Sequence, residues 1–410
     1  MSPTAMMSAI AARGLFSHSS GSSNHTCPIP IIKQPKIQPI FGKTTFHTFA
    51  MYISGATGIV TLSVAAYLIF RHATHYSMPK QQRQIIRIAF LTPWVAFICF
   101  LATWLESSAG YFLPAIDLGS AMAIACFLLL LCNYVMAGPN GFDDLFGEGA
   151  LAGGRSGTSS PSWLKRTWYL VLQFVPVSAV LWIATAISMA VGTYCATSNK
   201  PYFAHIWITI IKGLSTGAAV MTIIKFTRKM KAQLDSHKAM MKLLAFKGVI
   251  FVNIFQTLLI TILVSSKVIK PTDHLTYRDI TVGIPALALS LEMPPFTLLM
   301  LYAYSSKPYE STKLRLGFRG GFMGGKAILE ALNMTDILSA FVRGPMRLVR
   351  EQEQMVIRED SMNLMAPPAY GTTPSSGNGF NNDPRYNAGN NFNSETHYNG
   401  NNRYNGEMGV

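Results

Sequence analysis

Glu292 is a carboxylate in the middle of an otherwise apolar stretch, TVGIPALALSLEMPPFTLLMLYAY, residues 281–304, and Pro294 and Pro295 follow it closely. Lys212 is a cation in a similar setting, IWITIIKGLSTG. Ionised groups in such sequence are costly unless they are paired or face a polar cavity, so they mark solute paths, proton relays or bonds between helices. Together with Gln256 and Asn253, Glu292 and Lys212 are the candidate lining of a solute pathway. Lys212 and Glu292 fall at similar depths, which predicts an ion pair between them. For Gln173 and Asn133 the structural reading is preferred: interhelical hydrogen bonds worth roughly 1 kcal/mol each. Glu106 and Lys225 end their apolar runs, where each is expected to snorkel to water.

Other chemistries find no support in the residues. GGFMGGKA, residues 320–327, half-matches a phosphate loop, but Ala327 stands where a magnesium-holding Ser or Thr belongs and no strand precedes it. It reads as a flexible basic linker. His72 and His75 are three apart with no third ligand near, and no Cys pair has zinc spacing, so no metal site is expected. Without a nucleophile motif or a nucleotide site, neither an enzyme nor a cofactor is expected.

The elements that must position these groups are membrane helices. Half of the 410 residues are hydrophobic and only 13% are charged, well below the usual share of soluble domains. Stretches of roughly 20 apolar residues recur seven times, at about 46–70, 86–106, 115–137, 167–191, 204–226, 243–264 and 281–304. The expected fold is therefore all-α, a polytopic bundle of seven spanning helices over 45–305. The net charge of +15 comes from Lys and Arg beside the apolar runs, which argues against nucleic acid as a partner. Those basic residues concentrate in the first loop, the fifth loop and the segment after the last span. By the positive-inside rule the N-terminus lies outside or in a lumen and the C-terminus in the cytosol.

Two features of the outer face agree with this orientation. Asn24 begins an Asn-His-Thr glycosylation sequon. Cys27 and Cys195 both fall on the oxidising side, either as a disulfide or as two free thiols. The tail 1–44 reads as disordered. After the bundle, 306–361 is a basic cytosolic segment, in which KAILEALNMTDILSAFV reads as one amphipathic helix on the inner membrane surface. The remainder, 362–410, is Asn/Gly-rich and reads as disordered. Within it Pro367, Pro368 and Tyr370 form a PPxY motif, the polyproline ligand of WW domains, and imply recruitment of a WW-domain ubiquitin ligase.

The block HATHYSMPKQQRQIIRIAFLTPWVAF, residues 72–97, carries His75-Tyr76, Pro79, Ile85-Ile86-Arg87-Ile88 and Pro93. It resembles the first cytosolic loop and second helix of the organic solute transporter alpha-subunit family, which includes the transmembrane protein 184 group. A second block, 234–256, matches at Lys242, Lys247, Phe251 and Gln256. A third matches at Glu292-Met293 and Tyr309, and NMTDIL, 333–338, resembles the family's post-bundle segment. The chain departs from the pattern at Phe255, where tryptophan is usual, and at Pro294-Pro295. It also has no cysteine cluster in the third loop.

The resemblance implies seven helices and facilitated movement of sterol-like solutes or organic anions. In the transporter members it implies a single-span beta-type subunit as partner, beside membrane lipids. The implied location is the plasma membrane or a vacuolar or endosomal membrane. The alternative is a membrane scaffold or trafficking regulator without transport. A seven-helix receptor is less favoured, because the third span lacks Asp-Arg-Tyr and the seventh lacks Asn-Pro-x-x-Tyr.

Overall fold

A computed structural model describes residues 38–40, 42–138, 140–146, 161–196, 200–266, 268–310, 317–345 and 348. Asn24, Cys27, Pro367, Pro368 and Tyr370 lie outside the described residues, as do most of the two tails. Every described element is helical. Seven helices are long and apolar enough to cross a membrane: α1 Phe46–Thr74, α2 Pro79–Trp104, α3 Glu106–Met136, α4 Ser162–Ala190, α5 Ala204–Lys229, α6 Ala239–Val264 and α7 Asp279–Glu310. Two short helices follow, α8 Gly325–Leu332 and α9 Thr335–Arg343.

α2 and α3 are the inner helices, with most of their length buried, whereas the others expose most of theirs. Small residues permit this close approach, since Ala96 and Ala102 on α2 and Ala121, Ala123 and Ala125 on α3 are all buried. α7 packs on α1, α2 and α6, while α5 packs on α4 and α3. The alternating direction of the helices places His47, Glu106, Cys195 and Asp279 at one end of the bundle. Tyr76, Tyr134, Lys242, Tyr309 and the pair α8–α9 lie at the other.

The seven expected spans are present, with informative differences at their edges. α2 begins at Pro79, not near 86, and Pro79 suits a first helical position, where its missing N–H is not needed. Hydropathy hides this first half because its buried face carries Gln81, Gln82, Gln84 and Arg87. α4 is interrupted at Gln173 between Ser162–Leu172 and Phe174–Ala190. α7 opens with a π-helical turn, Asp279–Gly283, and then continues as α-helix from Ile284 to Ala303 through Pro294 and Pro295. The prolines remove two backbone donors without ending the helix.

Two expectations for the segment after the bundle are corrected. The single amphipathic helix is two helices broken at Asn333-Met334. Ala327, Ala331, Ile337 and Ala340 face the bundle, while Leu329, Leu332, Leu338 and Val342 are exposed. GGFMGGKA is a packed turn and not a flexible linker. Gly324 has φ +82° and its Cα abuts α1, where an added Cβ would lie 2.7 Å from the carbonyl carbon of Ala73. Only glycine fits both constraints.

Candidate functional site

At mid-depth, α6 and α7 bring two candidate residues together. Gln256 Nε2 donates to Glu292 Oε1 at 2.5 Å, and Glu292 Oε2 is buried without a hydrogen-bond partner among the described residues. Asn253 lies three residues before Gln256, on the same side of α6. On the other flank of α7 a hydroxyl ladder ties it to α1 and α2. Thr57 and Ser290 hydroxyls pair at 2.6 Å, Ser290 donates to the Ser54 carbonyl at 3.3 Å, and Ser54 pairs with Thr103 at 2.7 Å. One face of α7 is thus knitted to its neighbours and the Glu292 face is left with an open acceptor. Met293, next to Glu292, is fully buried.

Lys212 does not join this group. Its Nζ lies 3.2 Å from Asp117 Oδ2 on α3, which overturns the expected pair with Glu292. The two groups stand apart because α5 packs on α3 and α4, whereas Glu292 faces α6. Asp117, three residues into the third apolar run, is the partner that sequence reasoning missed. Gln173 and Asn133 behave as structural residues. Gln173 exchanges hydrogen bonds with Ser215 across α4 and α5, at 3.0 and 3.3 Å, and Asn133 donates to the Lys80 carbonyl at 3.3 Å.

At the Tyr309 end, residues from the separate sequence blocks converge. Lys242 Nζ donates to Tyr134 Oη at 2.8 Å, Tyr134 and Tyr309 hydroxyls meet at 3.3 Å, and Tyr309 Oη donates to Gln81 Oε1 at 3.2 Å. His72 is buried, with Nε2 2.7 Å from the Tyr304 carbonyl oxygen, and its ring meets Tyr309 edge-on. His75 Nδ1 lies 2.9 Å from the Arg71 carbonyl oxygen, so the two histidines serve the helix end separately and not as a metal pair. His237 stacks on Tyr134, and burial, then the nearby Lys242 charge, lowers its pKa. Arg71 pairs with Glu310. Pro93 is buried within α2, and Lys247 lines a small apolar cleft with Ile124, Val220 and Ile223.

Arg87 is the centre of a second cluster at this end. Its Nε donates to the Ala331 carbonyl at 2.7 Å and its Nη2 to the Asn333 carbonyl at 2.5 Å, capping the C-terminus of α8. Both Nη atoms lie 2.8 Å from Asp336 carboxylate oxygens, and Arg83 adds a contact at 3.2 Å. The Arg87 and Asp336 side chains are only 4% and 8% exposed. Burial pushes the Asp336 carboxyl up, but the hydrogen bond and charge of Arg87, with Arg83 and Gln84, hold it below its ordinary value. Tyr76 Oη donates to Glu330 at 2.9 Å, and burial, then that carboxylate, raises its pKa. These bonds fasten α8 and α9 to α2.

At the opposite end His47, Glu106 and Asp279 meet, the one group among the described residues whose ligand atoms could hold a metal ion. Glu106 was expected to reach water, but its side chain is 12% exposed and turns into the bundle end. Cys195 at this end is buried and disulfide-bonded.

Comparison with known proteins places this arrangement. A model described as Organic solute transporter Ostalpha matches residues 50–309. Over 273 residues the chain is 24% identical to a protein named Transmembrane protein 184 homolog from Dictyostelium discoideum, an alignment covering 64% of this chain and 54% of that protein. The chain thus spans about half the length of this relative. No solved structure matches.

Proposed function

The chain belongs to the organic solute transporter Ostalpha family, and on that premise we propose that it is a membrane transporter or transport subunit for sterol-like solutes or organic anions. Movement is facilitated, as no nucleotide-binding motif stands in the sequence. The observation that carries the reading is Glu292. A mid-depth carboxylate with one oxygen held by Gln256 and the other open suits a solute hydroxyl better than a lipid-facing wall. A sterol-like solute would donate to Oε2, while an anionic one would need a cation, and Lys212 is half-exposed beside Asp117.

The orientation puts the Tyr309 end in the cytosol, in keeping with the basic residues of the first and fifth loops and of the segment after α7. The disulfide-bonded Cys195 at the other end supports an oxidising compartment there, with Cys27 its proposed partner and Asn24 a glycan site. The exposed apolar side chains of α8 and α9 suit a membrane surface. A beta-type single-span subunit, and a WW-domain ligase on Pro367, Pro368 and Tyr370, are the proposed partners.

Flux of sterol conjugates into liposomes holding the purified protein tests the reading, with and without a beta-type subunit. Glu292→Gln is expected to cut flux while leaving thermal stability near that of the wild type. Absence of flux for every solute, with the partner supplied, would favour the scaffold or trafficking reading instead.

A further inference from the structure

The His47–Glu106–Asp279 group has no part in the pathway above, and its geometry is that of a ligand set. His47 lies in the first turn of α1, Glu106 at the α2–α3 junction and Asp279 at the start of α7. One ligand atom from each falls within 4.8 Å of the other two, and His47 Nδ1 is 3.3 Å from Glu106 Oε1. Asp279 is only 3% exposed. Its Oδ2 accepts from the Thr276 backbone N–H at 2.8 Å and from the Thr276 hydroxyl at 2.7 Å, which fixes the carboxylate. Its Oδ1 is buried without a hydrogen-bond partner among the described residues, and so are Glu106 Oε1 and His47 Nδ1.

Two carboxylates buried side by side repel each other unless a cation or a proton intervenes. Among the described residues neither forms an ion pair with a Lys or Arg. The backbone makes room for both acids, because a Cβ at Gly283 would lie 3.0 Å from Glu106 Oε1 and 3.7 Å from Asp279 Oδ1. Gly283 also closes the π-helical turn that begins at Asp279, a distortion that recurs at functional sites. The Thr276 bonds are the outer support that metal-ligating carboxylates usually have.

We infer that His47, Glu106 and Asp279 bind a divalent transition cation of the zinc class. One imidazole with two carboxylates is a borderline donor set that favours zinc over calcium, which takes six or more oxygen ligands. The bound ion ties the start of α1 and the start of α7 to the α2–α3 turn, and water completes its coordination.

The test uses untagged full-length protein in detergent, stripped with chelator, incubated with Zn2+ and desalted. Elemental analysis is expected to find one zinc per chain, and Zn2+ is expected to raise Tm. Asp279→Asn keeps the side chain's shape, and with His47→Ala it is expected to lose about 10-fold or more in zinc affinity and the Tm shift. Should His47→Ala fail to fold, Glu106→Gln takes its place. Zinc retention no higher in wild type than in Asp279→Asn overturns the inference. A Tm shift that persists in the variants, or that calcium gives and zinc does not, overturns it equally.

Discussion

The two ends of the bundle bury carboxylates in opposite ways. Asp336 is surrounded by Arg87, Arg83 and Gln84, so two guanidinium groups match its charge. Asp279 and Glu106 face each other and His47, with an acceptor left open on each. A matched charge is what a structural joint needs, because an unmatched buried charge weakens it. Two carboxylates without a Lys or Arg of their own among the described residues form, on the inference above, a place for a cation from outside the chain. The contrast separates residues that hold the molecule together from residues that wait for a ligand.

The largest expected effect lies at the charge-matched end. Arg87→Ala strands a buried carboxylate and the Glu330, Ala331 and Asn333 carbonyls, at a cost of about 3–5 kcal/mol. It should free α8 and α9 for protease cleavage and lower Tm in detergent. Arg87→Lys should rescue little, because an ammonium cannot span the carboxylate and the α8 carbonyls together. Full stability in Arg87→Ala would break the comparison. The same chemical change tried at both ends sharpens it. Asp336→Asn should destabilise the protein strongly, whereas Asp279→Asn in chelator should cost within about 1 kcal/mol or stabilise, since it relieves repulsion with Glu106. Unfolding curves of the two variants, side by side, give the answer.

A smaller effect follows from pH. The folded Asp336 carboxyl titrates below its ordinary 3.8, so its contribution is complete above that value and is lost as the pH falls through the lower, folded one. Unfolding followed from neutral pH downward should show an acid-side loss in wild type that Asp336→Asn lacks. Identical acid profiles in the two proteins would argue that Arg87 holds α8 through its carbonyls alone.

How much of this could be read in the sequence depended on what each feature requires. The seven spans are sums of local hydropathy, so each shows within its own residues. Glu292 and Gln256 were found because polar residues stand out against apolar neighbours, and the hydrogen bond between them joins two residues singled out separately. The front of α2 was missed because a helix that buries Gln81, Gln82, Gln84 and Arg87 looks like a loop to a hydropathy count. The His47–Glu106–Asp279 group was invisible for a different reason. Its members come from three distant segments, with no spacing to read, and Glu106 at a span end resembles any residue reaching for water. The resemblance blocks marked residues of the Tyr309 end, though not that Tyr134, from outside them, would complete the network.

The smallest effect concerns the pair that was expected elsewhere. Lys212 and Asp117 side chains are 42% and 23% exposed at 3.2 Å. Ion pairs of this exposure contribute about 0–1 kcal/mol, because solvent screens them and two side chains must be held still. In lipid the screening is weaker, so the value in a bilayer should exceed that in detergent with added salt. Lys212→Ala and Asp117→Ala should each shift Tm slightly, and the double mutant should cost less than the sum of the two. Charge reversal of both, Lys212→Asp with Asp117→Lys, should restore most of the single-mutant loss. Rescue of a Lys212 variant by a change at Glu292 would instead return the pair to α7 and contradict the packing of α5 against α3. Lys212 therefore tests whether a polar residue within a span lies on the Glu292 path or merely beside it.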